Sequence, residues 1–171
     1  MIIKIQDFFR NVKYYLINII KWSPILWKDR DWDDYYIMDT LRFKIENTAK
    51  YIRKNKRYIG YERDVERMNL VVRLIDKFQD EFYNCEYQDY YKSDFSFKRI
   101  KDSELFEMES EIKENNLLNY FEKYPNTYRK IYPNCDNEDI RIALKMGHHL
   151  HNKAKRILFT LIERNIEKWW D

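Results

Sequence analysis

Residues 137–171 read NEDIRIALKMGHHLHNKAKRILFTLIERNIEKWWD, a run without proline. Ile140, Leu144, Gly147, His151, Ala154, Leu158 and Leu161 fall three or four positions apart, so they share one face of an α-helix. Ile157, Ile162, Ile166 and Trp169 widen that stripe toward its end. Asp136 or Asn137 can cap the start, Glu138 and Asp139 sit where the helix dipole favours negative charge, and Lys168 sits where it favours positive charge. At ~1.5 Å per residue such a helix runs about 50 Å and needs a partner along most of its length. Gly147 costs about 1 kcal/mol relative to alanine in a helix interior. It either lets another element approach closely or divides the segment into two shorter helices.

The rest of the chain can supply the partners. Two glycines and three prolines in 171 residues argue against the many tight turns of an all-β fold. The expected architecture is all-α: a single domain over residues 1–171, a bundle of five or six helices organised around the C-terminal one. Ile2, Ile5, Phe9, Val12, Leu16 and Ile19 form a first stripe, with a break expected near Trp22 because Ser23 precedes Pro24. Aromatic residues on one side and Lys4, Arg10, Lys13 and Lys21 on the other also suit a membrane-surface helix, although core packing explains the same stripe. The second stripe is Met38, Leu41, Ile45, Ala49 and Ile52, with Asp31 or Asp33 as its cap, and the third is Tyr61, Val65, Met68, Val72, Ile75 and Phe82. Residues 54–60 form a short basic linker between them. Residues 84–102 lose the helical period and read as a loop or insertion carrying Tyr87, Tyr90, Tyr91, Phe95 and Phe97. Ser103 to Lys123 reads as helix again on Leu105, Met108, Ile112 and Tyr120, and Pro125 stops it.

Composition narrows the function classes. The net charge of +3 does not by itself indicate a nucleic-acid binder. Its distribution is uneven: Arg42–Arg73 holds ten basic against four acidic residues, and Asp76–Glu114 twelve acidic against six basic. Such asymmetry can steer an anionic ligand or a complementary partner, and it also describes solvated helix faces. Cys85 and Cys135 form neither a disulfide framework nor a metal motif. No secretory leader pattern and no apolar run of the ~20 residues that span a bilayer is visible, so the expected location is cytoplasmic, with reduced thiols. Abundant Lys, Asn, Ile and Tyr beside scarce Ala point to an AT-rich genome.

The chemistry-bearing residues are few. A glycine-rich phosphate loop, a Cys-x-x-Cys pair and a Ser-, Cys- or Thr-centred nucleophile motif are all missing, so no catalytic residue and no cofactor are expected. Arg30 among the carboxylates of residues 29–33 is either an ion pair fixing a turn or part of a cation or phosphate site. His148, His149 and His151 are the only histidines. Helical carboxylate metal sites put a glutamate three residues before the histidine, and Lys145, Met146 and His148 occupy those positions instead. Zinc would need a further ligand, such as Cys135 or a carboxylate. With Lys145 and Lys153 adjacent, His148, His151 and Lys153 also suit an anion. Tyr120, Tyr124, Tyr128 and Tyr132 recur every four residues, and beside Arg129 and Lys130 they could stack a base and hold a phosphate, or pack the core. The candidate ligand-binding set is therefore Tyr120, Tyr124, Tyr128, Arg129, Lys130, His148, His151 and Lys153, with no metal expected.

The run Trp27-Lys28-Asp29-Arg30-Asp31-Trp32-Asp33, followed by Leu41-Arg42-Phe43-Lys44, resembles the opening of a group of small phage-encoded helical proteins. The ending from Leu161-Ile162-Glu163 to Trp169-Trp170-Asp171 is similar to their C-terminus, with Trp169 and Trp170 anchoring the end against an earlier helix. The likeness covers the two ends and the third helix. It carries no activity and no catalytic residue; it implies a phage or prophage gene expressed inside a bacterium. Three functions follow as expectations. One is a non-enzymatic binding protein acting on the host, such as an anti-defence protein that sequesters a nucleotide signal or occludes a host protein. Another is a virion or assembly component that forms a homo-oligomer. The third is a metal-dependent enzyme built on His148, His151 and a carboxylate.

Overall fold

The computed structural model describes residues 2–30, 34–101, 103–134 and 139–169. Among these, the chain forms helices α1 (Ile2–Leu26), α2 (Asp34–Asn55) and α3 (Tyr61–Gln79), then α4 (Phe82–Cys85) and a 3-10 turn over Glu86–Asp89. Strands β1 (Tyr91–Arg99) and β2 (Phe106–Asn115) follow, then α5 (Leu117–Lys123), α6 (Pro125–Ile131) and α7 (Asp139–Asn165). The protein is mainly helical with a two-stranded sheet, rather than all-α. It divides into two compact units, residues 1–75 and 76–171, and the boundary falls inside α3.

In the first unit the second and third stripes are buried in part: Met38 and Leu41 are half-buried, Val71 rather than Val72 completes the buried face of α3, and Phe82 falls in α4. Ile45, Ala49 and Ile52 of α2 are buried, as are Val65, Met68, Val71 and Ile75 of α3. Helix α2 ends where Lys56 takes a positive φ of 46°, its N–H donating to the Ile52 carbonyl at 2.8 Å. Gly60, at φ 85°, then opens α3 from a backbone region that side chains disfavour. The caps expected at Asp31 or Asp33 lie outside the described residues.

Helix α1 departs from expectation twice. It does not stop at Trp22 but runs through Pro24 to Leu26. Proline has no N–H for the Ile20 carbonyl, and the Ser23 hydroxyl donates to that carbonyl instead, at 3.1 Å. The last turn is then closed by the Trp27 N–H on the Ser23 carbonyl. Its apolar stripe is also not core. Ile5, Phe8, Phe9, Val12, Leu16 and Ile19 are all exposed. Trp22 sits about a quarter-turn round the helix from the middle of that stripe, and it is Trp22 that meets α2, edge-on to Phe43 at 5.0 Å.

The second unit is built on α7, which runs unbroken through Gly147 and is about 40 Å long. Of the two roles open to Gly147, close approach is the one realised. A Cβ there would lie 2.8 Å from the Tyr83 carbonyl oxygen and 3.4 Å from that of Asn84, so only glycine lets α4 lie this close. Leu117, Tyr120 and Phe121 of α5 pack on Ile142, Ala143 and Met146 of α7 to form the core. Helix α7 ends at Asn165, whose side-chain amide donates to the Leu161 carbonyl at 2.7 Å. It therefore stops short of Lys168, which lies in a 3-10 turn that ends on the buried Trp169. Trp170 and the N-terminal caps at Asp136 and Asn137 lie outside the described residues.

The segment expected to be a loop and then a helix, residues 91–115, is an antiparallel hairpin. The reason lies in its period. Phe95 and Phe97 alternate with Asp94, Ser96 and Lys98, and Phe106, Met108 and Ile112 alternate with Glu107, Glu109 and Glu111. Pairing Phe97 with Met108 and Ser93 with Ile112 sets the apolar side chains on one face. The other face carries Lys98 at 2.5 Å from Glu109 and Lys113 at 2.6 Å from Glu111. Helix is regained only at Leu117, on the far side of the strand.

Candidate functional site

At the base of the hairpin, Glu86 is buried, its side chain only 2% exposed. Burial of a carboxylate is tolerable only when it is paired. Here the Lys123 ammonium donates to one oxygen at 2.5 Å and the Tyr124 hydroxyl to the other at 2.7 Å. Both partners come from the end of the helix that follows β2, Lys123 as its last residue and Tyr124 as its cap, while Glu86 precedes β1. The Asn116 N–H on the Tyr90 carbonyl, at 2.7 Å, completes the closure. Burial first, and then the hydrogen bond to Glu86, push the Tyr124 phenol well above its ordinary range. The Tyr120 phenol is raised by burial and by the nearby Glu86 charge, and Lys123 is raised by its hydrogen bond to Glu86. Lys123 and Tyr124 are thereby held in the protonated form in which they donate to Glu86. The cluster is a clamp on the hairpin.

That assigns most of the tyrosine row to packing. Tyr120 is fully buried, with Tyr90 and Tyr124 each 5.5 Å away, ring to ring. Tyr124 is committed to Glu86, and Tyr128 stacks on Phe121 at 4.7 Å with its other neighbour, Tyr132, at 5.2 Å. The period of four exists because α5 and α6 turn the same flank to α7, with Pro125 starting α6 at its first position instead of ending the run.

The histidines diverge. His148 is exposed, with its Nε2 2.9 Å from the Asn152 side-chain amide. His151 is buried under the Phe78 ring at 4.9 Å, with Nδ1 3.8 Å from a Glu81 oxygen. One is exposed and the other buried, and among the described residues no three His, Cys, Asp or Glu side chains converge as metal ligands. Cys135 lies outside the described residues.

A different constellation forms on the next strip of α7. His149, Asn152, Lys153 and Arg156, together with Lys130 from α6, line an open concavity of about 450 Å³. Positions 149, 153 and 156 are spaced i, i+4, i+7 and therefore share a face, with Asn152 beside it. Three fixed cations around one imidazole define its electrostatics. His149 is held below its usual value, first by burial and then by Lys130, Lys153 and Arg156. At neutral pH the ring is thus an uncharged donor and acceptor among three cations. Arg156 offers a planar fork for an oxyanion, and Lys130 and Lys153 offer point charges from two helices.

The structure therefore brings together Lys130 and Lys153 of the sequence-based set. Arg129 is exposed outside the concavity, and Tyr120, Tyr124, Tyr128 and His151 belong to the packing beneath. Sequence reasoning missed His149, Asn152 and Arg156, although their helical spacing was readable. A second concavity, about 580 Å³, is lined by Arg99, Ile100, Lys101, Ser103 and Glu104 at the tip of the hairpin. No known protein family, curated protein or solved structure matches the chain.

Proposed function

We propose that the protein is a non-enzymatic binding protein that takes a phosphate-bearing small molecule of nucleotide type in the concavity formed by Lys130, His149, Asn152, Lys153 and Arg156. The observation that carries the reading is the meeting of three cations and a neutral imidazole at one open site, with no carboxylate lining it among the described residues. A phosphate group satisfies all of them at once: the guanidinium binds two oxygens, and the ammonium groups neutralise the remaining charge. The basic site faces solvent, as capture of a diffusing ligand requires. The resemblance to small phage-encoded proteins supplies the setting. In that setting the ligand is a nucleotide signal of the bacterial host, and the protein counters a defence response by sequestering it.

The test is native mass spectrometry of protein purified gently from bacteria, followed by titration calorimetry with mono- and dinucleotides. A mass excess of a few hundred daltons is expected, lost in a Lys153→Glu, Arg156→Glu variant that keeps the wild-type circular dichroism. A bare wild-type chain with no heat of binding toward any phosphate compound overturns the reading.

A further inference from the structure

Among the described residues, helix α1 carries a long apolar strip that nothing covers. Phe9 is 66% exposed and Ile20 74%. With roughly 200 Å² for a fully exposed phenylalanine, Phe8, Phe9 and the aliphatic residues of the stripe leave on the order of 600 Å² of apolar surface in one strip. That is about the upper limit of the largest patch on an ordinary monomer. The helix is attached to α2 through Trp22, which leaves the strip itself facing outward.

Charge decides what covers it. The sequence of α1 holds four cations and one carboxylate, and the carboxylate, Asp7, is spent on Arg10 at 2.8 Å. Two copies of α1 packed strip to strip would set two helices of net charge +3 (four cations less one carboxylate) side by side, with no free acid on either to answer the other's charge. An anionic bilayer surface answers both features, taking the apolar strip into the boundary between headgroups and acyl chains while the cations meet phosphate. Tyr15, beside the strip, and the 86%-exposed Trp27 add aromatic groups of the kind that settle at headgroup level. No helix among the described residues is long and apolar enough to cross a membrane, so the helix would lie along the surface.

We infer that α1 is a membrane-surface helix that binds anionic phospholipid through Ile5, Phe8, Phe9, Val12, Leu16 and Ile19. The test is flotation of the full chain with vesicles of phosphatidylglycerol and, separately, of phosphatidylcholine. Binding to the anionic vesicles is expected to be at least tenfold stronger and to weaken with salt. An Arg10→Gln, Lys13→Gln, Lys21→Gln variant should lose about fivefold per cation, roughly 100-fold in all. A Phe9→Glu, Leu16→Glu variant should stop floating, and because both positions are exposed, its circular dichroism should match the wild type. Equal partition onto the two lipids, or flotation that survives the glutamate substitutions, overturns the inference. So does a solution dimer that the glutamate substitutions dissolve while vesicles capture nothing, since the strip would then belong to a second copy.

Discussion

Gly147→Ala sets two physical effects against each other at one position. Helix propensity alone makes the substitution stabilising by about 1 kcal/mol, since glycine in a helix interior is that much worse than alanine. The packing opposes it. The added methyl would sit 2.8 Å from the Tyr83 carbonyl oxygen and 3.4 Å from that of Asn84, and both are backbone atoms that no rotamer change can remove. Helix α4 must retreat by about half an ångström to restore ordinary contact. Overpacking of this kind costs about 1–3 kcal/mol, so the net expectation is a loss of about 1 kcal/mol. In a chain of this size that lowers Tm by about 2–4 °C. Thermal unfolding followed by circular dichroism at 222 nm measures it. Native-state hydrogen exchange should place the damage at the Asn84 and Cys85 amides, which donate to the Glu81 carbonyl in the displaced turn. Gly147→Val, with two further methyl groups, should lose more. An alanine variant as stable as the wild type, or more stable, would refute the close approach of α4 to α7.

Other perturbations follow from the same geometry. Glu86→Ala removes the carboxylate that receives Lys123 and Tyr124 and should cost about 2–3 kcal/mol by urea unfolding, as expected for charged hydrogen bonds. Lys56→Gly should do the reverse, adding about 0.5–1 kcal/mol, because Lys56 ends α2 at a positive φ that glycine adopts without strain. Alkaline titration followed by tyrosine absorbance should show a phenol titrating near 12, that of Tyr58, raised by burial and by its hydrogen bond to Asp64. Because Tyr58, Tyr120 and Tyr124 are all raised on folding, their stabilisation is present below pH about 10 and is lost as pH climbs through the folded values. His149 runs the other way. Its value is lowered on folding, so stability should fall as pH drops below about 6.5, and sulfate, a dianion throughout that range, should bind more tightly there by favouring the charged ring. Sulfate affinity that is independent of pH in a protein that still binds it would remove His149 from the site.

The helices with a continuous apolar face were legible in the sequence, and the reasons are local. Ile45, Ala49 and Ile52, or Val65, Met68 and Ile75, repeat at helical spacing, and in the fold these residues are buried. Residues 91–115 were not legible as a hairpin because two periods overlap there. Leu105, Met108 and Ile112 satisfy a helical count, while the stricter alternation of Phe106, Met108 and Ile112 with glutamates satisfies a strand, and cross-strand pairing decides between them. The stripe of α1 was legible but not its exposure, since a pattern states which face is apolar and not what will cover it. At the candidate site the residue types were found and the face was not. His148 and His151 drew attention by number, whereas His149, Lys153 and Arg156 share a flank with Lys130 supplied from α6. Only a fold brings a side chain from α6 to that flank.

The clamp at Glu86 has a consequence for how this chain tolerates change in length. The hairpin leaves and re-enters the second unit at neighbouring points, tied there by Glu86 to Lys123 and Tyr124 and by Asn116 to Tyr90. Its apolar side chains Phe95, Phe97, Phe106 and Met108 are exposed, so they support nothing beneath them. The strands are therefore an appendage whose ends are held independently of its contents. Residues 94–111 can be exchanged for a two-residue Asn-Gly turn, or the tip opened to accept a foreign sequence, while the core around Tyr120 and Met146 keeps its anchors. For anyone wishing to attach a fluorophore, an epitope or a tether to this protein, the tip of the hairpin is the place to cut.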